Sequence, residues 1–274
     1  MRKRGTTPFR CDKVMTMRSL GAVQRIGFAL LLTLAPRTGV QAADIMVLAS
    51  NGVKAVLQEL APQFERSTGH TLVFRFATAA ELKAQIERGD AFDVAILTSA
   101  IIDDLIRQGR LAAATRADIA RSGAGIAIRK GAPRPDIATA DALKRTLLSA
   151  KSIAYVGQGA TAGIMTSIFE RLGIAEEMRK KTRPLPAAAA EAVASGDAEL
   201  GFTQISEILP VAGAELAGPL PSELQIYTVF PAAVSASARQ PAAARSLITF
   251  LTAPAAVPVI KAKGMEPAPA RGGR

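Results

Sequence analysis

Residues Ile153–Phe169 read IAYVGQGATAGIMTSIF. The apolar run Ile153 to Val156 has the length and composition of a buried strand. Gly157, Gly159, Thr161, Ala162 and Gly163 supply a turn of small residues, and Ile164, Met165, Ile168 and Phe169 then recur at helical spacing. The stretch therefore predicts a strand, a tight turn and a helix N-terminus. The first amides of a helix have no internal partner and lie at the positive end of its dipole. Where no bulky side chain intervenes, an anion can rest directly on them. The turn lacks the Lys-Ser/Thr ending of a nucleotide P-loop. An ordinary strand-to-helix turn that binds nothing fits the same residues.

Upstream, the pattern recurs. Asp44–Ala49 (DIMVLA) predicts a strand, followed by Ser50 and Asn51, either of which suits the N-cap of a helix carrying Val53, Val56, Leu57, Leu60 and Phe64. Leu72–Phe76 predicts a second strand, Ala77–Ala80 a second small-residue turn, and Glu81–Arg88 a helix ended by Gly89. Phe92–Leu97 predicts a third strand, with Thr98 at its end, before a short helix at Ile101–Arg107. Strands alternating with helices imply a parallel sheet with right-handed crossovers. Ligands of such sheets bind beyond the carboxyl ends of the strands. Ser50, Thr78 and Thr98 all fall at such ends.

Downstream, Gly123–Ile128 opens a new apolar segment and Asp141–Leu148 a helix. Glu176–Arg183 is charged and expected to be solvated. Pro186 precedes an alanine-rich helix over Ala187–Ala194, and Leu200–Gln204 is a strand with Gln204 and Ser206 at its end. Gln225–Phe230 and Ala232–Ser237 read as two short strands. Helices over Ala242–Leu251 and Ala255–Lys263 follow, and the tail from Pro267 reads as disordered.

The N-terminus has the layout of an export signal. A basic leader precedes the apolar run Ile26–Ala35, which is too short to span a bilayer with margin. Val40-Gln41-Ala42 offers the small residues of a cleavage site, so residues 1–42 are expected to be removed and the rest to be periplasmic. Of the formal +11, those 42 residues carry +7, leaving +4. That charge is too mild and too dispersed to argue for nucleic acid. Removing the leader also removes Cys11, the only cysteine. His70 is the only histidine, and its place before a strand suggests a solvated loop. No metal site and no cofactor are expected. The absence of Trp excludes a sugar-stacking site built on it.

Four segments carry a resemblance: LASNGVKAVLQELAPQFERSTG, FATAAELKAQIERGDAFDVAILTS, VGQGATAGI and AVASGDAELGF. With them the chain resembles the periplasmic molybdate-binding proteins of ABC transporters, which are type II periplasmic solute-binding proteins. The resemblance implies an α/β fold of two lobes, residues 43–122 plus 231–274 and residues 123–230, closing around a ligand cleft. It implies an exported, monomeric binding protein that hands a small anion to an inner-membrane ABC permease. The family holds its oxyanion with hydroxyls and backbone amides. Its serines fall on Ser50 and on Ala79, with Thr78 beside the latter. Its glycine-rich-turn amide falls on Ala162, between Thr161 and Gly163. The next amide falls near Pro186, which has no N–H, and the tyrosine falls on Gln204. With Asn51, these are the expected ligand-binding residues. The changes at Ala79 and Gln204 suit a carboxylate better than molybdate. Some exported members of the family are aconitate isomerases, which gives the alternative function. Proton transfer to and from carbon needs an acid and a base. Arg75, Glu81, Lys83 and Arg116 are the charged residues nearest the expected cleft by sequence, but no acid–base pair can be named from it, so transport binding ranks first.

Overall fold

In the computed structural model, which describes residues 42–186 and 188–268, the first apolar segment forms β1 (Asp44–Ser50). A 3₁₀ turn over Asn51–Val53 leads into α1 (Lys54–Thr68), which buries Val56, Leu57, Leu60 and Phe64 and ends at Gly69. Gly69 takes a left-handed conformation, with φ 75°, that costs glycine little. Then come β2 (Thr71–Ala77), α2 (Ala79–Arg88), β3 (Val94–Ile96) and α3 (Ser99–Arg107). β1 lies between β2 and β3 and is parallel to both. Ser50 is level with Ala77, and Ala49 with Phe76 and Ile96, so the three strands release their chains at one edge.

The chain crosses to a second sheet along β4 (Ala117–Arg129). At about 3.3 Å per residue its 13 residues span roughly 43 Å, enough to serve both sheets. The second lobe is built from α4 (Ala140–Ser149), β5 (Ile153–Val156), α5 (Ala160–Leu172), α6 (Ala175–Arg179), β6 (Thr182–Leu185), α7 (Ala189–Ser195), β7 (Leu200–Gln204), α8 (Ile205–Ile208) and β8 (Ala214–Pro219). The chain returns through β9 (Tyr227–Val234) and closes with α9 (Pro241–Thr252), α10 (Val257–Ala262) and β10 (Glu266–Pro267).

From Ala117 to Gly123, β4 pairs antiparallel with β9, which continues to β3; from Ala124 to Arg129 it pairs with β7 and β8. The strand order β2-β1-β3-β9-β4-β7-β5-β6 is thus two sheets hinged on one shared strand. The fold is α/β and two-lobed. One side of the first sheet packs against α1, α9 and α10 through Phe64, Phe230, Leu247 and Ile260; the other packs against α2 and α3 through Leu82, Ile86 and Ile102. The second sheet is sandwiched likewise, by Leu143, Ile168 and Met178 on one side and Ala190, Val193 and Ile208 on the other.

Several expectations are corrected. The two strands split at Pro231 are one, β9. Proline is tolerated there because the β4 register shifts opposite it: Asp118 faces Pro231 and Ala120 faces Phe230, leaving Ile119 over. The charged stretch Glu176–Arg183 is not all solvated loop, because β6 begins within it as the outermost strand, where Pro184 costs no central pairing. β8 forms where Gly218 and Pro219 give the sequence the look of a loop. His70 is not a solvated loop residue: it is 7% exposed, its Nδ1 accepts the Ala43 N–H at 3.3 Å, and its ring lies 6.2 Å from that of Phe64. At the C-terminus, β10 pairs Glu266 and Pro267 with Arg121 and Ala120, and Arg121 grips the Glu266 carboxylate. The expected leader over residues 1–41, and the tail from residue 269, lie outside the described residues.

Candidate functional site

Between the lobes lies a cavity of about 630 Å³, within the usual range of small-molecule sites. Its first-lobe wall comes from the ends of β1 and β2 and the helices that follow. Ser50, Asn51, Lys54 and Gln58 line it from one connection, Thr78 and Ala79 from the other. Its second-lobe wall comes from three further connections: Gly159 and Thr161 at the start of α5, Ala188–Glu191 at the start of α7, and Thr203, Gln204, Ser206 and Glu207 around the start of α8. Five helix beginnings therefore converge on one space. Ser50, Gly159, Ala188 and Gln204 sit at the N-caps and, among the described residues, make no side-chain cap. First-turn amides left uncapped are donors for an anion; at α8 they are already engaged, the Ser206 N–H by Ser122 Oγ at 3.3 Å and the Gln204 N–H by the Glu207 carboxyl.

Thr78 is the exception. It closes a capping box on α2: its hydroxyl accepts the Glu81 N–H at 3.3 Å, and the Glu81 carboxylate accepts the Thr78 N–H at 3.0 Å. Its hydroxyl also donates to that carboxylate at 2.8 Å. Thr78 thus borders the cavity with its hydroxyl already engaged. Ser50 is buried at the cavity wall.

Six of the nine expected site residues, Ser50, Asn51, Thr78, Ala79, Thr161 and Gln204, are brought to the cavity walls. Ala162, Gly163 and Pro186 are not. The Ala162 N–H is turned back to the Gly159 carbonyl at 3.2 Å, and Gly163 and Pro186 are exposed. The wall expected near Pro186 is supplied instead by Ala188–Ala190. Ala188 takes a left-handed φ of 68°, unusual for alanine, as the chain turns into α7. Thr98 lies at the start of α3, away from the cavity.

The charged residues nearest the expected cleft by sequence lie elsewhere. Arg75 bonds Gln85 at 2.8 Å, Lys83 pairs with Glu87 and Asp104, and Arg116 pairs with Asp103 and Asp118 at 2.7 and 2.8 Å. The ionisable residues that do line the cavity are Lys54, Glu191 and Glu207. Lys54 opens α1, where a cation opposes the helix dipole. That local misfit is the signal that could have found it. Glu191 is exposed in the first turn of α7.

Glu207 sits in α8 among the residues that line the cavity, with its carboxyl enclosed by protein. Burial pushes this carboxyl above the ordinary glutamate range, and the negative charge of Glu191 adds to the rise. The Thr203 hydroxyl, which donates to Oε2, and the Gln204 backbone N–H pull the other way without cancelling it. Beside it, Gln204 Oε1 and Ser206 Oγ are buried and have no hydrogen-bond partner among the described residues. Buried polar atoms are almost always paired, so this pair on one wall is unspent binding capacity. Among the described residues no cluster of His, Cys, Asp and Glu could hold a metal ion.

An aconitate isomerase from a Pseudomonas species is 33% identical over 250 residues, covering 89% of this chain and 95% of its own. A molybdate-binding protein from Azotobacter vinelandii is 26% identical over 231 residues, covering 82% of this chain and 90% of its own. The solved periplasmic molybdate-binding protein of Azotobacter vinelandii superposes with a TM-score of 0.70 at 23% identity, over 81% of this chain and 98% of that one. A model of the bacterial extracellular solute-binding protein family matches residues 45–266. With two sheets hinged on one strand, a cavity between them and a family match running from β1 to β10, the chain belongs to the bacterial extracellular solute-binding proteins.

Proposed function

We propose that this protein captures a small organic polycarboxylate between its lobes and shifts a carbon–carbon double bond in it, as an aconitate isomerase does. One observation carries the proposal: a cavity supplied with neutral donors and one lysine is also lined by a residue with an enclosed carboxyl group, Glu207. A site that only binds a tetrahedral oxyanion has no use for a group that takes and returns protons. A polycarboxylate that must gain and lose a carbon-bound proton needs one. Lys54 would pair with one ligand carboxylate from the first lobe, and the amides, Gln204 and Ser206 would hold another from the second. The lobe boundaries are placed at residues 43–122 plus 231–274 and residues 123–230. The protein is exported to the periplasm after loss of residues 1–42 and works as a monomer.

The test is incubation of the purified protein with trans-aconitate, with the cis isomer followed by chromatography. Turnover at enzymatic rates is expected. A thermal-shift panel of molybdate, tungstate, sulfate, phosphate, citrate and both aconitates supports it. A ligand present at 100 times its dissociation constant adds about 2.7 kcal/mol of stability. Stabilisation by molybdate or tungstate alone would overturn the carboxylate assignment.

A second use of the same cleft is delivery of the unchanged anion to an ABC permease. The 26% identity to a molybdate-binding protein over most of both chains favours it. Tight binding of a polycarboxylate without conversion would establish that reading in place of the first.

A further inference from the structure

The three ionisable side chains on the cavity wall have ready electrostatic uses. Lys54 is a cation for an anionic ligand, and Glu191, exposed in the first turn of α7, complements that helix's dipole. Glu207, in the first turn of α8, complements its helix's dipole likewise, but unlike the exposed Lys54 and Glu191 it has its carboxyl enclosed by protein. It sits in α8, where Thr203, four residues earlier at the end of β7, donates its hydroxyl to Oε2. The carboxyl is therefore oriented by a fixed partner on a rigid strand end. Its neighbours on the wall, Gln204 Oε1 and Ser206 Oγ, are buried without partners among the described residues; the Ser206 hydroxyl can donate to a ligand carboxylate, whereas Gln204 Oε1 can only accept from a ligand O–H. A ligand carboxylate held there brings the adjoining carbon chain beside Glu207.

We infer that Glu207 is the catalytic group that carries the proton between the two ends of the allylic unit of a bound unsaturated polycarboxylate, with Thr203 as its positioning residue. The inference rests on the isomerase reading of the cleft. Glu207 in its ionised form takes a proton from the methylene carbon next to the double bond. The C–H electron pair becomes the new double bond. The old π pair takes the proton back from Glu207 at the far alkene carbon. The carboxylate is regenerated, atoms and charge balance, and no oxidant or co-reactant is needed. One group can serve as both base and acid because removal and return occur on the same face of the ligand. Burial suits Glu207 to this role, because a carboxyl raised by desolvation is a stronger base than a solvated one and a better match to carbon acids. Lys54, across the cavity, offsets the negative charge that spreads over the allylic system during transfer.

The experiment compares wild type with Glu207→Gln, both as the exported protein. Glu207→Gln is expected to bind trans-aconitate with a thermal shift close to wild type and to lose roughly 10²- to 10⁴-fold in turnover, the usual contribution of a positioned acid–base group. Thr203→Val removes a donor that favours the ionised carboxylate, so the acid limb of its pH–rate profile is expected to move to higher pH. A role confined to holding the fold would move no such limb. Glu207→Asp, which keeps a carboxyl but draws it back by one methylene, is expected to lower kcat with little change in KM. It serves as the test should the glutamine variant melt early. Undiminished turnover in Glu207→Gln would overturn the role of Glu207 alone. Wild-type protein that binds aconitate without converting it would overturn the isomerase reading itself, so the two failures are told apart.

Discussion

Gly52 has no side chain, and the structure leaves room for none. A Cβ there would meet Phe230 Cζ at 2.5 Å and Gln204 Oε1 at 2.8 Å. Glycine thus lets the 3₁₀ turn after β1 lie directly against the end of β7 in the other lobe. Gly52→Ala is expected to destabilise the protein by about 1–3 kcal/mol, the usual range for overpacking, and to displace Gln204 from the cavity wall. Chemical denaturation reads the first effect, and weakened aconitate binding the second; unchanged values for both would show that the lobes yield freely at this contact. Glu207 makes a prediction of opposite sign. Its carboxyl is raised above the ordinary value of 4.5 by burial, so the folded state holds the proton more tightly than the unfolded one. The resulting stabilisation is fully present below 4.5 and is lost as pH rises through the folded value. Glutamine cannot ionise. The melting temperature of Glu207→Gln relative to wild type is therefore expected to climb as pH rises from about 4 toward 8. A difference that stays flat over that range would mean that the carboxyl titrates normally.

At the scale of the element, α2 shows how a helix start is held when no ligand is needed. Thr78 and Glu81 satisfy each other's backbone N–H groups in a capping box. Thr78→Ala is expected to cost about 0.5–2 kcal/mol in global stability, measured by denaturant midpoint, because a cap residue is lost. It should weaken ligand binding little, since the Thr78 hydroxyl is already engaged by Glu81. A large loss of binding without loss of stability would instead make Thr78 a ligand contact. Another element-level device is Asp93, just before β3. Its buried carboxylate accepts the Met46 N–H at 3.0 Å and the Arg239 and Gln240 N–H groups at 2.8 and 3.0 Å. A strand end, a neighbouring strand and the approach to α9 are thus tied at one point.

At the scale of the whole molecule, the lobes share β4, and the chain re-enters the first sheet at the start of β9, so relative motion must be absorbed where β4 passes between the sheets and where the chain returns to β9. Ligand contacts made from both walls favour the closed arrangement by their difference in affinity for closed and open forms. Small-angle scattering is expected to show a smaller radius of gyration with a bound polycarboxylate than without. An unchanged radius would mean that the cleft is already closed. Mass spectrometry of the secreted chain is expected to find its N-terminus at Ala43; retention of residues 1–42 would remove the export assignment.

Much of this was legible in the residues because it depends on neighbours in the chain. Period-2 and period-3.6 apolar patterns, Gly69 and Gly89 at helix ends, and hydroxyls after strands placed β1, α1, β2, α2 and β7 to within a few residues. They also put Ser50 and Gln204 at the ends of strands, where both border the cavity. What local pattern could not supply was decided by packing between distant segments. Pro231 sits in a continuous strand only because β4 shifts register opposite it. His70 is buried only because Ala43 and Phe64 come to it from elsewhere in the first lobe. Pro186 gave way to Ala188–Ala190 because the chain turns into α7 through a left-handed alanine. Lys54 and Glu207 lie 153 positions apart in the sequence and share one cavity only after both sheets have formed on β4. Which carboxyl is desolvated, and so fit to exchange a proton, is set by the protein around it, and no short stretch of sequence contains that surrounding.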